Sequence, residues 1–411
     1  MDLDLRKVPI NATLVSGVVY IIAFNYLPDS IRTAYAGLNG TAFTVLAIAG
    51  IFGAKRGGER TMLLGLSMIV TAWVMGAVLD PDNSYREIAS VGAGVRATVP
   101  FFTGIAIIAH RDKLSLRLMF VATAAIVLFA AVIAATSPME PLNGIPRLHP
   151  FTGGAGSFHP SAYVISLCVC VMYELTRSRN ILRPLVLALL GIAVIITLGI
   201  RVRTSWVILM ALFGFEVFLR LLPRLPETGA VNLRSSRGVI MILTLLVGVC
   251  LLALYLIAFT DFRELAAFSS DRLPNYIERF EVIGARDVVP FFFGTGPGSD
   301  LFRTTIWWWK AHDSHNDYIH ILVEGGLVAF GGLFVYLRGL YRATGSTGLP
   351  YIAALAFSSA VSNALIDRPY EIVLFYLALG LRLAIKDAAD VPIRAQSALP
   401  RGGPLQNSQS A

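Results

Sequence analysis

Apolar residues along this chain gather into stretches close to the ~20 residues that an α-helix needs to cross a bilayer, with polar clusters between them. Twelve such stretches are found, at about 12–28, 36–54, 61–79, 88–109, 116–136, 159–176, 181–200, 203–222, 238–260, 317–337, 349–366 and 370–386. Helices are the expected form, because unpaired backbone groups are costly in hydrocarbon. The dyad alternation of a membrane β-barrel is absent. The pattern predicts an all-α fold over residues 1–386: a polytopic transmembrane helix bundle of about 12 helices with one long, partly helical loop at 261–316. From 387 to 411, Pro, Gln, Ser and Gly replace the apolar period, which predicts a disordered tail. Arg6 and Lys7 flank the first stretch as in a signal peptide, but no small-x-small cleavage site leads into a soluble domain, so it reads as helix one.

Charge orients this bundle. Lys and Arg crowd the N-terminus and the connections after helices 2, 4, 6, 8 and 10, among them Lys55, Arg56, Arg60, Arg111, Lys113, Arg177 and Arg179. They are sparse in the short connections after helices 1, 3, 5, 7 and 11, so both termini are expected in the cytoplasm. The long loop then lies outside, together with the segment around Arg147, His149 and His159, the turn with Arg201 and Arg203, and Asp367-Arg368. A loop of this length in a compact architecture is functional or disordered. This one keeps apolar periodicity and turn glycines, which argues for function.

Within the loop, RLPNYIERFEVIGARD (272–287) predicts a helix with Leu273, Ile277, Phe280 and Gly284 on one side. Arg272, Arg279 and Arg286 recur every seven residues, which makes one cationic stripe facing a membrane surface or an anionic ligand. Gly294 to Ser299, GTGPGS, lacks the ending of a phosphate-binding P-loop and alone signals a turn. Trp307, Trp308, Trp309 and Lys310 read as an interfacial anchor. His312, His315 and His320 precede or open helix 10, but the five-residue step from His315 to His320 and the lack of a nearby thiolate argue against zinc.

Composition changes the picture in two places. With 55% hydrophobic and only 15% charged residues, lipid must be the solvent for most of the surface. The net charge of +8 is scattered between spans rather than gathered into a basic domain, which excludes a nucleic-acid partner and leaves topology as its meaning. Cys168, Cys170 and Cys250 fall inside spans, where neither a disulfide framework nor a metal cluster is expected.

Residues 271–330 carry a combination more specific than any of its parts. Arg272 is followed by Tyr276, then Pro290, Gly294, Gly296 and Gly298, then His315-Asn316 with Glu324-Gly325 behind. This resembles the signature region of the O-antigen ligase and Wzy-type polysaccharide polymerase superfamily of bacterial membrane glycosyltransferases. Arg203-Thr204-Ser205 resembles the family's Ser-Arg-small motif, although Ile200 to Val202 departs from it and leaves Arg201 as a rival. Gly153 to Pro160, GGAGSFHP, resembles the segment before the next family span.

The resemblance implies transfer of a glycan from an undecaprenyl-diphosphate carrier to an acceptor hydroxyl, at the periplasmic face of the inner membrane. The acceptor would be a second carrier-linked glycan in a polymerase or lipid A-core in a ligase. Membrane lipids and other polysaccharide assembly proteins are the remaining expected partners, and no cofactor or metal is called for. Negative charge develops on the departing diphosphate, and guanidinium forks bind phosphate oxygens in bidentate fashion. Arg203 and Arg272 are the expected clamps, with Arg201 and Arg279 as reserves. His315 is the expected general base, the natural role of an imidazole near neutral pH, and direct displacement by the hydroxyl would invert the anomeric carbon.

Asn316, Gly296, Glu324 and Arg96 are expected in support; Glu324 can orient His320 one turn earlier, and Arg96 sits deep in helix 4. Asp80 and Asp82 form a DxD-like pair, but DPDNS is also a turn sequence. Glu216, near the cytoplasmic side, reads as structural. The competing functions are a lipid-linked glycan flippase or transporter, and a non-catalytic subunit of an export system. Transporters commonly show internal repeats and interrupted helices, and no repeat relates the two halves here.

Overall fold

The computed structural model describes residues 8–26, 41–42, 44–79, 91–137, 139–142, 145–151, 158–178, 181–221, 272–305, 311–361 and 369–397. Among them the apolar stretches are helices: α1 (Val8–Tyr26), α2 (Thr44–Gly53), α3 (Gly57–Leu79), α4 (Val91–Ala109), α5 (Leu116–Thr136), α6 (Phe158–Leu175), α7 (Arg183–Ile200) and α8 (Arg203–Leu221). The loop contributes α9 (Arg272–Gly284) and α10 (Val288–Phe293), and the chain returns through α11 (Asp317–Thr344), α12 (Leu349–Val361) and α13 (Pro369–Ser397). An antiparallel hairpin of β1 (Glu140–Leu142) and β2 (Ile145–Arg147) joins α5 to the segment before α6. The stretch at 238–260, Asp80, Asp82, residues 152–157 and Trp307 to Lys310 lie outside the described residues.

Among the described residues, four helices are long and apolar enough to cross a membrane: Gly57–Leu79, Leu116–Thr136, Arg183–Ile200 and Asp317–Thr347. The protein is thus a helical membrane protein. Its surface agrees, since Val78, Ile195 and Met210 on three different helices are each more than 60% exposed. Such faces would aggregate in water, whereas lipid solvates them. Buried hydroxyls turn back onto their own helices instead: Thr123 Oγ1 donates to the Met119 carbonyl at 2.7 Å, Ser166 Oγ to that of Ala162 at 2.7 Å and Thr197 Oγ1 to that of Ala193 at 2.8 Å.

Among the described residues, α3 and α11 pack most extensively. Helices in lipid gain little from hydrophobic association and pack through small residues instead. Gly58 and Gly65 of α3 face Ala343, Gly332 and Tyr336 of α11, and Gly339 faces Met62. A Cβ on Gly65 would stand 2.5 Å from the Gly332 carbonyl oxygen, so the two backbones are in contact. Tyr336 then reaches across: its hydroxyl donates to the Phe101 carbonyl at 3.0 Å, beside Pro100 inside α4, and meets the Tyr376 hydroxyl of α13 at 3.1 Å.

A second tie joins α6, α8, α12 and α13. Arg382 Nη1 lies 3.1 Å from Glu174 Oε1 and 3.0 Å from Glu216 Oε2, Arg177 bonds Glu216 and lies 3.3 Å from Glu174, and Tyr351 donates to Glu174 at 3.0 Å. Two carboxylates and two guanidiniums cancel, which is how charge is tolerated in a bundle interior. Glu216 is structural, as expected. The sequence end departs from expectation: residues 387–397 continue α13 instead of beginning a disordered tail, and Asp387 holds Arg111 at 2.9 Å. This charge pair and the strong helix former Ala, at Ala384, Ala388 and Ala389, outweigh the low hydropathy that suggested a break. Residues 398–411 lie outside the described residues.

The seam between α3 and α11 predicts that Gly65→Leu removes monodisperse, detergent-soluble protein in size-exclusion chromatography. Overpacking costs about 1–3 kcal/mol even where side chains can shift, and here backbone is in the way. Gly191→Leu, at a helical position with nothing within 4 Å of a Cβ, is the matched control and elutes as wild type.

Candidate functional site at the loop and the interrupted helix

Helix α11 leaves helical geometry at Gly326, whose φ of 59° and ψ of −161° suit glycine alone. A break at this point frees the carbonyls of the preceding turn, which must find donors within the protein. The loop supplies them. Gly296 N–H donates to the Glu324 carbonyl at 2.9 Å, Thr295 Oγ1 to that of Val323 at 3.4 Å and Arg286 Nη1 approaches that of Leu322 at 3.5 Å. Glycine permits this approach: a Cβ on Gly294 would meet the Glu324 carbonyl at 2.2 Å. GTGPGS is therefore a plug for the broken helix, with Gly294, Gly296 and Gly298 all at positive φ. Gly296 takes part through its backbone N–H.

Behind the plug, Asp300 organises a buried polar network. Its Oδ1 accepts from Arg279 Nε at 2.7 Å and its Oδ2 from the Ser314 N–H at 2.8 Å, with His320 Nδ1 at 3.2 Å from Oδ2. His320 Nε2 is 3.2 Å from Glu324 Oε2, and Glu324 Oε1 accepts from Gly298 N–H at 2.6 Å. Glu324 thus orients His320, as its spacing predicted. Burial works against the Asp300 charge, but the His320 contact and the Arg279 charge prevail and hold its carboxyl below the usual range.

Two expectations about α9 are corrected here. The apolar side of the predicted helix faces outward: Ile277 is 42% and Phe280 53% exposed. Asn275, Arg279 and Ile283 form the inner face, because a buried Asp300 needs its cation more than Phe280 needs cover. Arg279 is accordingly not a reserve diphosphate clamp. It is fully buried, donates to Asp300 Oδ1, to Asn275 and to the carbonyls of Asp300 (3.0 Å) and His312 (2.7 Å), and lies 4.4 Å over the Phe302 ring. The helix also stops at Gly284 rather than running on to Asp287, which lets Arg286 turn toward the α11 break.

His315 sits where this network meets the surface. Its φ of 52° is left-handed, a conformation that costs a non-glycine residue about 1–3 kcal/mol and persists only when the surroundings impose it. Three contacts impose it. Asp313 Oδ1 accepts from the His315 N–H at 3.2 Å, the Tyr276 hydroxyl donates to the His315 carbonyl at 3.4 Å, and Asn316 fixes the next residue. Asn316 Oδ1 caps α11 by accepting from Tyr318 and Ile319 N–H, while its Nδ2 donates to the Ala360 carbonyl at 2.8 Å. The imidazole is 35% exposed, with Nδ1 2.7 Å from Asp313 Oδ1. Burial opposes the Asp313 charge, yet the His315 bond and charge overcome it and keep the carboxyl ionised well below the usual range. An imidazole whose Nδ1 donates to a carboxylate carries its lone pair on Nε2, the arrangement of a general base.

Arg272 opens α9 one turn before Tyr276, and its charge is felt at the Tyr276 hydroxyl, whose proton burial makes hard to lose. Arg201 is exposed in a left-handed turn that ends α7, and Arg147 Nη1 donates to its carbonyl at 2.9 Å. Arg203 begins α8, which packs against α12, the helix that holds Asn316. The side chains of Arg203 and Arg96 lie outside the described residues. Sequence reasoning missed Asp313 and Asp300. The first stands two residues before the histidine, the second directly after the glycine turn, where an acid reads as ordinary loop polarity.

Arg279→Leu is expected to cost about 3–5 kcal/mol, the penalty for stranding a buried carboxylate, measured as a fall in thermal midpoint. The Asp300 carboxyl is held lower in the folded chain than in the unfolded one, so its contribution is present above about pH 4 and lost as pH falls further. Protease protection of residues 298–305 and 311–316 should be level from pH 8 to pH 5 and fall away below about pH 4, whereas Asp300→Asn should lack it even at pH 7. Among known proteins, no family model, no curated protein and no solved structure matches this chain.

Proposed function

We propose that the chain is an inverting glycosyltransferase of the bacterial inner membrane, which moves a glycan from an undecaprenyl-diphosphate carrier to an acceptor hydroxyl at the periplasmic face. The observation that carries this reading is the Asp313–His315 pair, a carboxylate-oriented imidazole held in a strained turn at the solvent edge of a buried network. In the reaction, His315 Nε2 takes the acceptor hydroxyl proton as the oxygen forms its bond to the anomeric carbon. The bond from that carbon to the phosphate oxygen breaks, and its electron pair leaves with the carrier diphosphate. Arg272 and Arg203, with Arg201 beside it in the chain, meet the charge that develops there. In this reading the bundle has about twelve spans, both termini are cytoplasmic, and the acceptor is another glycan repeat or lipid A-core.

A flippase or transporter of lipid-linked glycan is the second reading, and the break in α11 at Gly326 favours it, because transporters bind substrates at interrupted helices. Against it, the carbonyls of Leu322, Val323 and Glu324 at that break are engaged by Arg286, Thr295 and Gly296 rather than lining a passage.

Glycan transfer in proteoliposomes tests the enzyme reading. His315→Ala should lower the rate by about 10²–10⁴, the contribution of a positioned base. Asp313→Asn should lower kcat with little change in KM. Full transfer by His315→Ala at normal protein levels would overturn the mechanism. Arg272→Lys and Arg203→Lys keep charge but lose the fork, and severe loss of transfer is expected of each; an unaffected double variant would show that other cations hold the diphosphate.

A further inference from the structure

At the opposite, basic end of the bundle, the end of α2, the start of α3 and the turn after α4 enclose a cleft of about 590 Å³. Its walls carry both signs of charge. Lys55, Arg56 and Lys113 supply cations, and Glu59 and Asp112 supply carboxylates. The back wall is built tightly: a Cβ on Gly53 would stand 2.3 Å from His110 Nε2, and that nitrogen meets the Ala49 carbonyl at 3.0 Å.

Glu59 is the informative residue. It is only 1% exposed, and its Oε2 accepts from the Lys55 and Arg56 N–H groups at 3.0 Å each. Its Oε1, buried in the same wall, has no hydrogen-bond partner among the described residues. A buried carboxylate oxygen left this way is costly, so the geometry calls for a donor from outside the described chain. At the rim, Asp112 holds Lys113 at 2.9 Å and is itself 64% exposed. The cleft also opens onto an apolar strip, because Phe52 is 79% exposed and Ile48 and Ile51 on the same helix are 49% and 45% exposed.

Cations, a buried acceptor and an adjoining lipid-facing strip together describe a zwitterionic amphiphile. We propose that this cleft binds the head group of an aminophospholipid. The phosphate rests on Lys55, Arg56 and Lys113, the primary ammonium donates to Glu59 and Asp112, and the acyl chains leave along Phe52 and Ile48. Free phosphate has the same chemistry at the cations, but it offers no ammonium to Glu59 and makes no use of the strip. A choline head group has the charge but no N–H, and a glycerol head group has no cation.

The test uses the full-length chain in mixed micelles with equal amounts of phosphatidylethanolamine, phosphatidylcholine and phosphatidylglycerol of the same acyl chains, with bound lipid counted by native mass spectrometry. Retention of phosphatidylethanolamine should exceed that of the other two by about tenfold, the scale of one charge-assisted hydrogen bond. Glu59→Gln should erase the preference for the primary amine over choline. Because Glu59 also caps α3, Asp112→Asn at the exposed rim provides a variant independent of that cap, and it should reduce the preference by a few fold. Lys55→Glu/Arg56→Glu should lose all three lipids. Equal retention of the three lipids by the wild type, an unchanged preference in both carboxylate variants, or displacement of the lipid by inorganic phosphate alone would each overturn the proposal.

Discussion

The interruption of α11 at Gly326 is the constraint on which the loop depends. A continuous helix satisfies its own backbone, but a broken one in a water-poor setting leaves carbonyls that only protein can reach. Thr295, Gly296 and Arg286 answer for Val323, Glu324 and Leu322, so the loop is fastened by main-chain need rather than by apolar contact alone. That explains why the segment is rich in glycine: a side chain on Gly294 would occupy the space of the Glu324 carbonyl.

Charge then propagates order outward from the fastening point. Glu324 orients His320, His320 and Arg279 flank Asp300, and Asp300 receives the Ser314 N–H one residue before His315. Each group in this series is buried and each is answered by an opposite charge or a backbone partner, so the series tolerates desolvation as a unit. His315 is its exposed terminus, and Asp313 gives the imidazole its direction.

Much of this was legible in the chain, and the reasons for the exceptions are physical. Apolar runs located α3, α5, α7 and α8 to within a few residues, because lipid demands length and hydropathy and little else. The spacing of His320 and Glu324 gave their contact directly, since one helical turn separates them. The orientation of α9 was not legible. Hydrophobic periodicity put Ile277 and Phe280 on one side without saying what that side faces, and the partner that turns the other side inward, Asp300, stands 21 residues away from Arg279. Arg279 illustrates the same limit, because the stripe of Arg272, Arg279 and Arg286 is uniform in sequence while the structure gives its members different work. The break at Gly326 was hidden too, in a run of glycines where closeness to α3 and left-handed backbone leave the same letter.

The glycine seam between α3 and α11 has a consequence for how deep the site stands. Gly58 and Gly65 are two turns apart on one helix, as are Gly332 and Gly339 on the other, and each faces backbone or a short side chain across the seam. Sliding α11 by one turn would set Tyr336 where Gly332 or Gly339 now stands, against the backbone of α3. The pair therefore works as a gauge with a single notch. Everything carried at the head of α11, from the plugged break to the imidazole that precedes its cap, is thereby held at one axial level relative to α3.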